Sequence, residues 1–238
     1  DEDLCICPFE KTMYESDGIK THYCGHPLVS QLPEKANRDK FFEKHGLDKN
    51  KKLVAIFPGS REFELKFLMK VFVKTAQNLQ KQHPDLQFCI SHAPNLSDSV
   101  YDKYLQKTDF PVIKGENQAL LSVSDALILA SGTVALEACL YQTPMIIAYR
   151  GPWLFYLIYL VVRCIKRVSL PNIIADKSIV PEIIQGDVNV SKISYEIEKL
   201  LYDNDYRQQN IKDLGDVKAL LSDKISSVEV AKVINNSL

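Results

Sequence analysis

The chain has 238 residues, 46% hydrophobic and 25% charged, an ordinary globular composition long enough for one or two domains with real cores. A formal net charge of −1 gives no global field for nucleic acid, so any anion site must be built locally. The six cysteines, Cys5, Cys7, Cys24, Cys89, Cys139 and Cys164, have neither C-x-x-C nor zinc-finger spacing and read as buried free thiols in a reducing cytoplasm.

The sequence starts at Asp1 rather than Met, with no signal peptide ahead of the first apolar run, and reads as an internal piece of a longer protein. Leu4–Phe9 and Ile19–Tyr23 are predicted as short strands, followed by Gly25-His26-Pro27 and a charged helix. His26 is held in an extended turn by Pro27 and is read as structural rather than catalytic. From Lys52 the pattern changes. Lys52–Phe57, Leu86–Ser91, Ala126–Ala130 and Pro144–Ala148 are continuous apolar runs, as expected of strands covered on both faces. Between the first two, Leu65, Leu68, Met69, Phe72, Ala76 and Leu79 recur at helical steps within Glu62–Gln82, and His83-Pro84 stops the helix. Further helices are predicted from Ser97 and over Thr133–Tyr141. After Gln185 the chain is polar and helical, with Ile193, Ile197, Leu200 and Leu201 on one face. Strands separated by helices of this length imply right-handed crossovers. The predicted class is α/β, a doubly wound parallel sheet of Rossmann-like type with C-terminal helices.

Four segments carry chemistry. Phe57-Pro58-Gly59-Ser60-Arg61 lies between a strand and a long helix. A small-residue turn there exposes N–H groups where the helix dipole favours an anion, and Arg61 adds a forked cation. Glu64, one turn on, would orient Arg61 or bind a sugar hydroxyl, since a carboxylate repels phosphate. An ordinary Gly-Ser cap with a solvated arginine explains the same residues. Ala130-Ser131-Gly132-Thr133 repeats the arrangement, and Glu137 shares a helix face with Thr133; two such turns in one sheet can converge on a diphosphate and a ribose, or be two separate caps.

Trp153–Val162 is uninterrupted, apolar and aromatic-rich, followed by Arg163, Lys166 and Arg167. Ten helical residues reach about 15 Å, half a bilayer core, so it does not span. Trp153, Phe155 and Tyr156 with those cations suit an anionic leaflet surface, and equally a buried helix with a cationic last turn, or a partner-domain contact. Finally, Leu170-Pro171-Asn172 precedes Pro181-Glu182 and Gln185; Pro181 suits a helix start, with Glu182 in the first turn and Gln185 on the same face. No Walker, H-E-x-x-H or G-x-S-x-G motif is present.

In this order and spacing the segments, together with Pro8-Phe9-Glu10 and Tyr23-Cys24-Gly25-His26-Pro27-Leu28, resemble the lipid-A-disaccharide synthases. The resemblance implies a GT-B type glycosyltransferase with three parts. These are a crossover segment from a largely missing N-terminal acceptor domain (1–45), a UDP-sugar donor-binding domain (46–185) and a C-terminal helical extension (186–238). It implies transfer of 2,3-diacylglucosamine from UDP to 2,3-diacylglucosamine 1-phosphate, without metal or other cofactor, by a cytoplasmic enzyme peripheral on the inner membrane and able to pair as a homodimer. Gly59, Ser60, Arg61, Glu64, Ser131, Gly132, Thr133, Glu137, Asn172, Glu182 and Gln185 would bind substrate. Arg61 would stabilise the leaving group, and the general base would come from the missing half, so the piece alone is expected to be poorly active. Two alternatives stand beside this: another GT-B UDP-N-acetylglucosamine transferase or 2-epimerase, and a non-catalytic donor-domain remnant.

Overall fold

The computed structural model describes residues 2–106, 108–152, 167–222 and 224–237. The chain begins with a small βαβ unit: β1 (Asp3–Cys5) pairs in parallel with β2 (Thr21–Tyr23) across α1 (Pro8–Ser16). The strand predicted over Leu4–Phe9 stops at Cys5, because Pro8 opens the helix instead. The Glu10 carboxylate accepts the Cys7 N–H at 2.9 Å and so caps that helix. The short helix α2 (Leu28–Gln31) and α3 (Arg38–Lys44) lead into the main domain.

That domain is a six-stranded, all-parallel sheet. Its strands are β3 (Lys52–Phe57), β4 (Leu86–His92), β5 (Val112–Lys114), β6 (Ala126–Ala130), β7 (Met145–Tyr149) and β8 (Glu182–Ile184). Their order is β5-β4-β3-β6-β7-β8, so the chain reverses its direction of travel between β3 and β6. In a doubly wound sheet that reversal opens a crevice beyond the carboxyl ends of the two strands. The long apolar strands predicted from sequence are all present, and the central β3, β4 and β6 are almost wholly buried.

Each sheet face carries its own core. Helix α4 (Glu62–Gln82) covers one face, burying Leu65, Leu68, Met69, Phe72, Ala76 and Leu79 against Val54, Ile56 and Phe88. Helices α5 (Asp98–Leu105) and α9 (Val190–Tyr202) join it there through Tyr101, Ile193, Ile197 and Leu200. Helices α6 (Asn117–Val123), α7 (Val134–Tyr141), α8 (Leu170–Ala175) and α10 (Asn204–Leu221) cover the other face. Each large side chain buried in this way contributes about 1.5–3 kcal/mol. The last helix, α11 (Ser226–Ser237), follows a return of the chain to the crossover segment. There the Lys224 ammonium donates to the Tyr23 carbonyl at 3.0 Å. Gly25, at φ +82°, lies so close that an added Cβ would be 2.7 Å from the Lys224 carbonyl oxygen.

The helix start predicted at Pro181 is a strand. Residues 182–184 pair in parallel with β7 and complete the sheet edge, so Glu182 is the first residue of β8 rather than of a helical turn. The β-branched pair Ile183-Ile184 suits that edge, with Ile183 buried.

Candidate functional site

Strands β3 and β6 are neighbours, with Phe57 level with Leu129. The turns that leave them therefore stand side by side at the reversal point. They line a cleft of about 750 Å³, within the size range of small-molecule sites. Gly59, Ser60, Arg61 and Glu64 come from the first turn and Ser131, Gly132, Thr133 and Glu137 from the second. The sequence-predicted pair of turns is brought together.

The two turns are chemically unlike. In the first, Gly59 takes φ +112°, a region that favours glycine. The Glu64 carboxylate folds back over the turn: its Oε2 accepts the N–H of Ser60 at 2.8 Å and of Arg61 at 3.1 Å. Its Oε1 accepts from one Arg61 guanidinium nitrogen at 3.2 Å. From outside the turn, Asn95 donates its side-chain amide to the Ser60 carbonyl at 2.7 Å. In the second turn the Ser131 N–H is committed to the Ala148 carbonyl at 3.0 Å. The N–H groups of Gly132, Thr133 and Val134, at the start of α7, have no hydrogen-bond partner among the described residues.

Glu137 is half-buried one turn into α7. Burial raises its carboxyl pKa above the ordinary value, and a hydrogen bond with the Gln118 side chain pulls the other way. The far wall is the end of the loop after β5 and the start of α6, with Glu116, Asn117 and Gln118. There the Lys44 ammonium, 2.8 Å from Glu116, lowers that carboxyl's pKa. Sequence reasoning missed this wall, because β5 has only three residues and shows no periodicity; Gly115, at φ +73°, was the one available signal.

Asn172, Glu182 and Gln185 lie outside the lining of that cleft. Asn172 is fully buried; its Oδ1 accepts the N–H of Ile179 and Val180 at 2.8 and 2.9 Å. Its Nδ2 donates to the Val180 carbonyl at 3.0 Å and to Glu182 at 2.8 Å. Glu182 also accepts the Ser169 N–H at 2.8 Å and hydroxyl at 2.6 Å. The two side chains clasp the start of α8 to β8. Gln185 follows β8 at φ +52°, buried, with its Oε1 accepting the Gly151 N–H at 3.2 Å and its Nε2 without a partner among the described residues.

Trp153, Phe155, Tyr156, Arg163 and Lys166 lie outside the described residues. Arg167 is described, and its guanidinium is engaged by Asp176, through the carboxylate at 2.5 Å and through the carbonyl. Among the described residues no helix is long and apolar enough to cross a membrane, and no three His, Cys, Asp or Glu side chains group as metal ligands.

The lipid-A-disaccharide synthase of Anaeromyxobacter dehalogenans is 34% identical over 237 residues, covering 98% of this chain and 62% of its own length. The synthase of Hydrogenovibrio crunogenus is 32% identical over 238 residues, covering 97% and 62%. The chain thus spans about 62% of the length of these relatives. Among solved structures, a putative UDP-N-acetylglucosamine 2-epimerase from Listeria monocytogenes superposes with a TM-score of 0.69 at 14% identity, over 100% of this chain and 59% of that one. The UDP co-structure of MnaA from S. aureus gives 0.66 at 14% identity, with the same coverage. At that identity the likeness is one of fold, the GT-B architecture of glycosyltransferases and epimerases. The family model described as lipid-A-disaccharide synthetase matches residues 1–234, and the chain belongs to that family.

Proposed function

We propose that this chain is the UDP-sugar-binding part of a lipid A glycosyltransferase. The whole enzyme would move 2,3-diacylglucosamine from UDP to 2,3-diacylglucosamine 1-phosphate. One observation carries the reading: two strand-to-helix turns meet at the sheet's reversal point, and together they offer one guanidinium and a set of unpaired amides to a single cleft. In the transfer, the acceptor hydroxyl attacks the anomeric carbon from the face opposite UDP. The bond from that carbon to the diphosphate oxygen breaks, and its electron pair leaves with UDP. Charge grows on the diphosphate, so preorganised donors there lower the barrier. Arg61 and the amides of Gly132, Thr133 and Val134 supply them.

Glu137 accepts from the ribose hydroxyls, while Asn172 and Glu182 act at a distance from the cleft by holding β8 in place. The base that takes the acceptor proton belongs to the remainder of the enzyme. Both sugars carry acyl chains, so an enzyme working at the inner-membrane surface meets them in two dimensions. The half-exposed Leu220, Val228 and Ile234 of the last two helices, with Ile225 between them, offer apolar surface through which two copies would pair.

Calorimetric titration with UDP tests the site. Arg61→Ala is expected to weaken binding about tenfold, near 1.5 kcal/mol, at the low end for a charge-assisted contact because the side chain is 69% exposed. EDTA is expected to leave binding unchanged. Equal affinity of mutant and parent, or loss of binding on chelation, would remove this reading.

A further inference from the structure

In a glycine turn at a helix start, the paired N–H groups are where a phosphate oxygen is expected. Here the position is already taken. Glu64 Oε2 lies on the Ser60 and Arg61 amides at 2.8 and 3.1 Å, and the side chain is only 13% exposed. The turn is moulded around this carboxylate: a Cβ on Gly59 would lie 2.2 Å from Oε2 and 2.8 Å from the Glu64 Cβ. Expelling Glu64 would break two charge-assisted amide bonds and its pair with Arg61, and would leave a carboxylate beside an incoming phosphate. Retaining it costs little, because a guanidinium has five N–H donors in a planar fork and Glu64 engages one of its nitrogens.

We propose that Glu64 is a resident anion and a positioning residue. It stays on the first turn when nucleotide binds and holds one edge of Arg61, so that the free edge of the guanidinium faces the diphosphate. The second turn, with its unpaired amides, is then the turn that grips phosphate through its backbone. The two glycine turns share an architecture but divide the work. This rests on the reading of the cleft as a UDP-sugar site.

The test uses the ¹⁵N-labelled chain with UDP and inorganic pyrophosphate as probes, comparing parent, Glu64→Gln, Arg61→Ala and the double variant. In the parent, saturating UDP is expected to move the amide resonances of Gly132, Thr133 and Val134 and leave those of Ser60 and Arg61 nearly still. Glu64→Gln is expected to move the Ser60 and Arg61 amides and to weaken UDP about tenfold. In the Arg61→Ala background the same change should alter affinity less than about twofold, because Glu64 acts through the arginine. The proposal is overturned if UDP displaces the Ser60 and Arg61 amides in the parent as far as Glu64→Gln does. Tighter binding by Glu64→Gln would also overturn it, since the carboxylate would then be a competitor that phosphate evicts. If no amide of either turn responds to UDP, the reading of the cleft fails instead. The comparison of parent with Glu64→Gln then judges the clasp alone, and unchanged Ser60 and Arg61 resonances would end it.

Discussion

Glu137 sits half-buried on the first turn of α7, and its carboxyl pKa is raised, chiefly by burial. A group whose pKa rises on folding holds its proton more tightly in the folded chain, so the folded state loses stability as pH climbs from the unfolded value through the folded one. Glu137→Gln cannot ionise and escapes that loss. Its Tm is expected to exceed the parent's at about pH 7.5, with the gain vanishing below the ordinary carboxyl value of 4.5. If Glu137 binds ribose, the same substitution weakens UDP. Higher stability with lower affinity marks a residue kept for its ligand; a variant no more stable than the parent at neutral pH would refute the burial argument. At this scale much of the site was legible. Gly59, Ser131 and Gly132 are small residues between a strand and a helix, a pattern with few physical uses. Glu64 was only half legible: its place one turn after Arg61 suggested a pairing with the guanidinium. That its carboxylate also covers two backbone amides depends on a rotamer, which spacing does not encode.

Strand β8 and the clasp behind it set the limits of legibility among elements. Long elements declare themselves, α4 by its helical periodicity and β3 by an unbroken apolar run, and their bounds emerge as predicted. Three-residue strands offer no period to count. Val112–Lys114 went unseen, and Pro181-Glu182 fitted a helix start as well as a strand start because proline suits both. The deciding interactions are long-range: β8 forms because β7 lies beside it and Asn172 satisfies the backbone of Val180. Asn172→Ala would orphan the buried N–H groups of Ile179 and Val180 and free one donor partner of Glu182. It is expected to lower unfolding stability by about 3 kcal/mol in urea titrations, with UDP affinity of the folded fraction altered less than about threefold. A large affinity loss without destabilisation would instead place Asn172 against the ligand.

For the molecule as a whole, the parallel α/β class followed from continuous apolar strands alternating with helices. The strand order did not, because nothing local says which crossover reverses the direction of travel. The proposed membrane attachment also belongs to this scale, since it would sum contributions along the sequence Trp153–Lys166. Cations near an anionic leaflet contribute about 1 kcal/mol each, so replacing Arg163 and Lys166 together by serine is expected to cut sedimentation with anionic vesicles about tenfold or more. Arg167 is left out because Asp176 already holds it. Unchanged sedimentation would assign the segment to an internal contact.

The reversal between β3 and β6 has a mechanical consequence. The helix leaving the Gly59 turn packs on one sheet face and the helix leaving the Gly132 turn packs on the other. The mouth of the cleft is therefore a seam between two helix layers, with the sheet between α4 and α7. A loss of volume under α4, such as at Phe72, would act first on the guanidinium lip, and one under α7, such as at Leu136, first on the amide lip. The gap between the lips can thus be tuned from either side by residues that lie outside the lining of the cleft.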